Sequence, residues 1–182
     1  MFKPGKIIRK FKARNGQEII LRYPKIDDVG GILKMVNEMI AEGKISLNKK
    51  LKRNNELEWL KKTLSKMKKG ISVVNIAECS GEIMGISDIT ADERRAMGHV
   101  GEYNIIIRKD FRGVGIGTEM AKTIIQEAKK TKLEMIRLHV NSENKNALIL
   151  YQKAGFKIVG RVPKEIKKNG KYLDNVIMVK NI

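Results

Sequence analysis

Ile105-Ile106-Ile107-Arg108-Lys109-Asp110-Phe111-Arg112-Gly113-Val114-Gly115-Ile116-Gly117-Thr118 decides how this chain is read. An apolar strand runs out, a glycine-rich turn follows, and a helix begins at once. Glycines at 113, 115 and 117 let backbone N–H groups turn outward and approach a ligand closely. The new helix adds unpaired N–H groups and the positive end of its dipole. Together these meet the requirements of a phosphate site. The neighbouring Arg108, Lys109 and Arg112 are expected to raise the local positive potential. Two rival phosphate motifs fit poorly. A Walker A loop needs Lys-Ser/Thr after its last glycine, where Thr118-Glu119 stands. The Gly-x-Gly-x-x-Gly spacing of a dinucleotide-binding turn is absent from this stretch.

Outward from the turn, the sequence alternates between the two periodicities of regular structure. Lys6 to Lys12 and Gln17 to Tyr23 read as a strand pair turned at Asn15-Gly16. Asp27 or Asp28 can cap a helix carrying Ile32, Leu33, Met35, Val36 and Ile40. Asn54 or Asn55 can cap a second helix with Trp59, Leu60, Leu64 and Met67 on one face. Ile71–Cys79 and Ile83–Thr90 read as strands joined at Ser80-Gly81, and Gly98–Ile107 as a third. Gly115–Lys130 is expected as a helix with Met120, Ile124 and Ile125 inward. Met135–Val140 reads as a strand and Asn144–Lys153 as a helix ended by Gly155. Phe156–Val162 and Tyr172–Val179 close the chain across a lysine-rich turn ending in Asn169-Gly170. With the opening pair counted once, the order is β-αα-βββ-α-β-α-ββ. No repeat or long linker divides the chain, so residues 1–182 form one domain, a mixed α/β sheet with helices.

Here a family resemblance enters. Arg112-Gly113-Val114-Gly115-Ile116-Gly117 resembles the Arg/Gln-x-x-Gly-x-Gly/Ala signature of the GNAT N-acetyltransferases. Leu138 to Phe156 is similar to that family's strand-Asn-x-x-Ala-x-x-x-Tyr-x-x-x-Gly-Phe block, through Asn144, Ala147, Tyr151 and Gly155-Phe156. The likeness is sharp from His99 to Gly160 and loose before it. It implies the GNAT fold, of α/β (α+β) class, with a central mixed, mostly antiparallel sheet flanked by helices. It implies acetyl-coenzyme A as co-substrate, without a metal, and acetyl transfer to a primary amine. That amine could belong to a protein N-terminus, a lysine, a polyamine or another small molecule. Arg112, Gly113, Val114, Gly115, Ile116, Gly117 and Thr118 would hold the pyrophosphate. Ile105, Ile106 and Ile107 would pair with the pantetheine arm and the acetyl carbonyl. Asn144 and Ala147 complete the cofactor set, and Asn144 is equally placed to cap its helix. Tyr151 would be the general acid for the leaving thiolate, although the same spacing suits a core tyrosine.

An amine with a pKa near ~10 is mostly protonated at neutral pH, so something must take its proton. Glu102 is the first candidate, ten residues before Arg112, and His99, thirteen before it, the second. Ordered water is the third. The odd spacing of Glu102 and His99 puts them on opposite faces of a regular strand.

Composition bounds the rest. A net charge of +18 favours anionic partners, coenzyme A or nucleic acid among them. The lysines around 49–53 and 61–69 read first as a solvated face, with an acidic protein or RNA as the functional reading. Aromatics are only 5% of the chain and none interleaves those lysines, which disfavours base stacking and a nucleic-acid-binding module on the same fold. One cysteine, Cys79, allows no intrachain disulfide, and two histidines argue against a His/Cys metal site. No run approaches ~18 apolar residues and no signal peptide is visible, so a cytoplasmic protein without membrane contact is expected. A homodimer stays open.

Overall fold

The computed structural model describes residues 2–43, 49–168 and 170–182. Eight strands form one sheet: β1 (Ile7–Lys12), β2 (Glu18–Arg22), β3 (Ser72–Cys79), β4 (Glu82–Ala91), β5 (Val100–Ile107), β6 (Met135–Asn141), β7 (Lys157–Lys168) and β8 (Lys171–Asn181). Four helices flank it: α1 (Val29–Ala41), α2 (Arg53–Lys68), α3 (Ile116–Ala128) and α4 (Lys145–Lys153). The spatial order is β1-β2-β3-β4-β5-β6-β8-β7. Neighbours run antiparallel except β5 and β6, which are parallel. The expected order of elements and the mostly antiparallel sheet are both present.

The helices divide between the faces. On one face, Ile124 and Ile125 of α3 and Tyr151 of α4 bury with Val73, Ile89, Leu138 and Val176, while Met120 of α3 buries with Ile19, Leu21, Ala77 and Met84. On the other, Ile32 and Met35 of α1 and Leu60 and Met67 of α2 cover Val74, Ile76 and Ile86. Strand β3 is covered on both sides, which is why its run Val73–Ala77 is apolar apart from Asn75. Asn75 is satisfied there, donating to the Met120 carbonyl at 3.1 Å and accepting from Ser87 Oγ at 2.7 Å.

Several local expectations are corrected. Asp28 does not cap α1. Its carboxylate takes both Nη1 and Nη2 of Arg22 at 2.8 Å, because a buried guanidinium needs a buried partner more than an accessible N–H does. Helix α2 begins at Arg53 with Lys52 at its cap and no side-chain cap, so Asn54 and Asn55 lie inside the first turn. Trp59 stays 39% exposed, off the face formed by Glu56, Leu60, Thr63 and Met67. β5 starts at Val100, since residues 95–97 coil into a short 3₁₀ turn. The closing hairpin is longer than expected. Lys164, Lys167 and Lys168 lie within β7 rather than in a turn, with an irregular register between Val162 and Ile166 and Lys164 at φ 57°. Gly170 sits at φ +77°, while Asn169 lies outside the described residues.

Candidate active site

The site is built on a fork. β5 pairs with β4 from Gly101 to Ile107, but with β6 for only three residues, Val100, Gly101 and Glu102. Beyond Glu102, β6 turns away to follow β8 along its whole length. From Tyr103 onward the β6-facing edge of β5 has no strand partner, so its backbone groups are open to a ligand that can hydrogen-bond along it. Ile105 and Ile107 point to the α3 side of the sheet and Ile106 to the α1–α2 side.

At the end of the fork lies the glycine-rich turn. Residues 109–111 form a 3₁₀ turn, Gly113 stands at φ +79°, and Gly115, the cap of α3, at φ +94°. No side chain caps α3, so its first-turn N–H groups and dipole are available to an anion. Gly117 does different work. A Cβ there would lie 2.6 Å from Leu150 Cδ1 and 3.1 Å from Ile107 Cδ1, so its bareness lets α3 sit against α4 and β5. Val114 accepts a hydrogen bond from Arg14 N at 3.0 Å, tying the β1–β2 hairpin to the turn, and Ile116 is buried beneath it. Thr118 is half-buried in the first turn of α3.

The flanking arginines are not free cations. Arg112 donates Nε to the Ile107 carbonyl at 2.8 Å and pairs with Glu42 at 2.9 Å, while Arg108 pairs with Glu82 at 2.9 Å and Glu38 at 3.2 Å. They staple the turn to α1 and β4, so the local potential rests more on backbone and dipole than expected. Arg14, whose Nε would lie 3.8 Å from a Cβ on Gly115, is a basic group that sequence reasoning missed. Only the hairpin's fold brings it there. Asn144 caps α4, its Oδ1 accepting from Ala147 N at 3.3 Å, and Ala147 packs on the core.

Beside the fork stand three aromatic rings. Tyr151 lies 5.9 Å from Tyr103 and 5.9 Å from Phe156, both edge-on, and Tyr103 stacks on Phe156 at 6.1 Å. Burial pushes the Tyr151 hydroxyl up to about 12, so it keeps its proton at neutral pH and remains able to donate it. Tyr103, also missed from sequence, buries a hydroxyl with no hydrogen-bond partner among the described residues.

The opposite face of β4 and β5 is polar. Asp88 pairs across the strands with Asn104 and Thr90 with Glu102, placing both carboxylates on one face. Thr90 Oγ1 donates to Asp88 Oδ2 at 3.3 Å. Burial, with a smaller contribution from the Glu102 charge, pushes the Asp88 carboxyl up to about 6 against the hydrogen bonds of Asn104 and Thr90. Glu102 accepts from Arg137 Nε at 3.0 Å and lies 3.6 Å from His139 Nε2. His99 precedes β5 and is exposed, its carbonyl accepting from the amides of Glu134 and Met135. A cavity of about 400 Å³ opens between this face and the helices, lined by Ile32, Val36, Glu56, Trp59, Asp88 and Asn104 among others. Two larger clefts, about 630 and 510 Å³, lie elsewhere. Their buried acids are already paired, Glu127 with Tyr23 and Lys130, and Asp28 with Arg22.

The family model described as "Acetyltransferase (GNAT) domain" matches residues 21–177. The chain belongs to the GNAT acetyltransferases. It is an enzyme of the acetyl-CoA-dependent N-acetyltransferase class. The L-methionine sulfoximine/L-methionine sulfone acetyltransferase of Pseudomonas aeruginosa is 25% identical over 165 residues, 89% of this chain and 94% of that protein. The spermidine N(1)-acetyltransferase of Escherichia coli is 32% identical over 108 residues, 57% of this chain and 55% of that one. The Salmonella typhimurium yncA structure, solved with its cofactor acetyl-CoA, superposes with a TM-score of 0.81 at 19% identity, covering 90% of this chain and 93% of that one. This GNAT chain thus shares its fold with a protein seen holding the co-substrate, while its relatives act on unlike acceptors. No helix among the described residues is long and apolar enough to cross a membrane, and no His/Cys/Asp/Glu group among them is arranged for a metal.

Proposed function

We propose that this GNAT enzyme moves the acetyl group of acetyl-CoA to a primary amine that enters between α1, α2 and the β4–β5 face. The observation that carries the reading is the fork. The glycine-rich turn lies at its end, Tyr151 beside it, and carboxylates stand on the opposite sheet face. Acetyl-CoA supplies an acetyl group activated as a thioester. The uncapped N-terminus of α3, with Arg112, Gly113, Val114, Gly115, Ile116, Gly117 and Thr118, holds the pyrophosphate. Asn144 and Ala147 close the other side of the fork. The free edge at Ile105, Ile106 and Ile107 orients the arm, and an amide near Ile106 or Ile107 donates to the carbonyl oxygen as charge develops there. Glu102, held by Arg137, receives the proton that the amine must lose. Tyr151, poised as a neutral acid, gives a proton to the departing sulfur. Buried Cys79 fits a reducing, cytoplasmic setting.

The test is acetyl-CoA-dependent thiol release with a panel of amines, alongside thermal shift. Acetyl-CoA at a hundredfold excess over its Kd should stabilise the fold by about 2.7 kcal/mol. ATP and NADH should not do so comparably. No shift at millimolar acetyl-CoA would overturn the reading.

A further inference from the structure

Asp28 and Glu127, both buried, have partners: Asp28 is paired with Arg22, and Glu127 with Lys130 and Tyr23. Glu56 is 4% exposed and, among the described residues, has neither hydrogen bond nor ion pair. It lines the same cavity as Asp88, and no lysine, arginine or histidine among the described residues lines that cavity with them. The apolar walls include Ile32 and Val36 of α1, Trp59 of α2, and Ile86 and Ile106 of the sheet, with the amides of Asn55 and Asn104 beside the carboxylates. Glu56 stands in the first turn of α2 and faces the cavity, so it is held out of bulk water with only the helix dipole to offset its charge, and a cation entering the cavity would lower that cost.

We propose that the acceptor is an aliphatic diamine or polyamine, whose two ammonium groups meet Asp88 and Glu56 while its methylene spacer lies along the apolar walls. The inference rests on the acetyl-transfer reading and narrows it. An α-amino acid would carry its own carboxylate into a cavity that offers it two more. A simple alkylamine would leave Glu56 buried and unpaired. Burial raises both carboxyls, so each gains most from a cationic partner. In the transfer, the ammonium at Asp88 loses one proton through the Asp88–Glu102 face to solvent. The N–C amide bond forms as the thioester C–S bond breaks. The sulfur leaves with the proton of Tyr151, which the nitrogen's second proton restores. Acetyl-CoA and the protonated diamine thereby yield N-acetyldiamine, the coenzyme A thiol and one proton.

The test uses the full chain with acetyl-CoA and five acceptors: spermidine, 1,5-diaminopentane, hexylamine, L-methionine sulfone and a peptide bearing one lysine. The diamine or spermidine should exceed hexylamine and methionine sulfone in kcat/KM by at least about tenfold. In folded Glu56→Gln, the diamine-to-hexylamine ratio should fall by about that factor, and Asp88→Asn should depress every amine. A best rate with methionine sulfone or the peptide overturns the proposal, as does a ratio unmoved by Glu56→Gln. If a variant fails to fold, the wild-type ranking decides alone. Acetyl-CoA binding with no turnover of spermidine or 1,5-diaminopentane sinks this inference and leaves the cofactor reading intact. Loss of acetyl-CoA binding sinks both.

Discussion

The two ends of the proposed active site are made by different means. The pyrophosphate end is local: fourteen consecutive residues, 105 to 118, supply strand edge, turn and helix N-terminus, and its attraction comes chiefly from backbone groups. The proposed acceptor end is assembled from α1, α2, β4 and β5, and its attraction would come from two side-chain carboxylates, Asp88 and Glu56, beside apolar walls. A backbone cradle tolerates change in most of its side chains and fails when a glycine does. A side-chain cradle fails residue by residue.

The largest expected break follows from that contrast. Gly115→Val places a branched residue at φ +94° where the turn meets α3, so acetyl-CoA affinity should fall at least ~100-fold in a folded variant. Calorimetry of acetyl-CoA binding measures it, and an unchanged Kd would show that the turn is not the anion site. Tyr151→Phe acts beside the fork, on the face opposite the carboxylates. It removes only a hydroxyl, so kcat should drop ~10²-fold while the KM for acetyl-CoA holds. Wild-type kcat in that variant would remove Tyr151 from the mechanism.

How far each end could be read from sequence follows the same division. The turn, the helix after it and the Asn144–Tyr151–Gly155 spacing were legible because their parts lie close along the chain. The acceptor cavity was not. Trp59 reads as a core residue and Glu56 as one helical charge among many, because a 3.6-residue period shows which residues share a face and not what stands opposite. Asp88 reads as an ordinary strand charge until α1 and α2 are folded over it. The arginines failed in the other direction. Arg108 and Arg112 read as cations that raise the potential of the turn, yet their partners Glu38, Glu42 and Glu82, from the α1 end and β4, offset much of that charge.

Two smaller effects sharpen the contrast. A protein of net charge +18 attracts the anionic co-substrate and would repel the proposed dicationic acceptor until it is inside. Raising ionic strength from about 50 to about 500 mM should therefore raise the KM for acetyl-CoA and lower that for the diamine, each a few-fold. Parallel movement of both would show that salt screens an attraction by the acidic cavity more than it screens the repulsion of the general field. The last effect is on stability. With its folded pKa raised to about 6, Asp88 holds its proton more tightly in the native state, so stability falls as pH rises from about 4 to 6. Above that window the full cost of the buried charge is present. Asp88→Asn should then be more stable than the parent at pH 8 by roughly 2–3 kcal/mol, several degrees in Tm, with the gap closing towards pH 4. Equal melting curves at pH 8 would mean that the carboxylate is already compensated.

The fork has a mechanical meaning too. Only three residue pairs, 100–102 with 135–137, stitch β1–β5 to β6–β8 across the sheet. The chain is therefore two half-sheets joined by a short seam, and a molecule lodged in the fork touches both. Amide hydrogens of β6 near Leu138–Asn141 and of β5 past Tyr103 should exchange with deuterium faster in the free enzyme than those of β4 between Gly85 and Thr90, where β3 and β5 pair with it on both sides. Acetyl-CoA should slow the exchange on both sides of the seam together, acting as the missing rungs of an unfinished ladder.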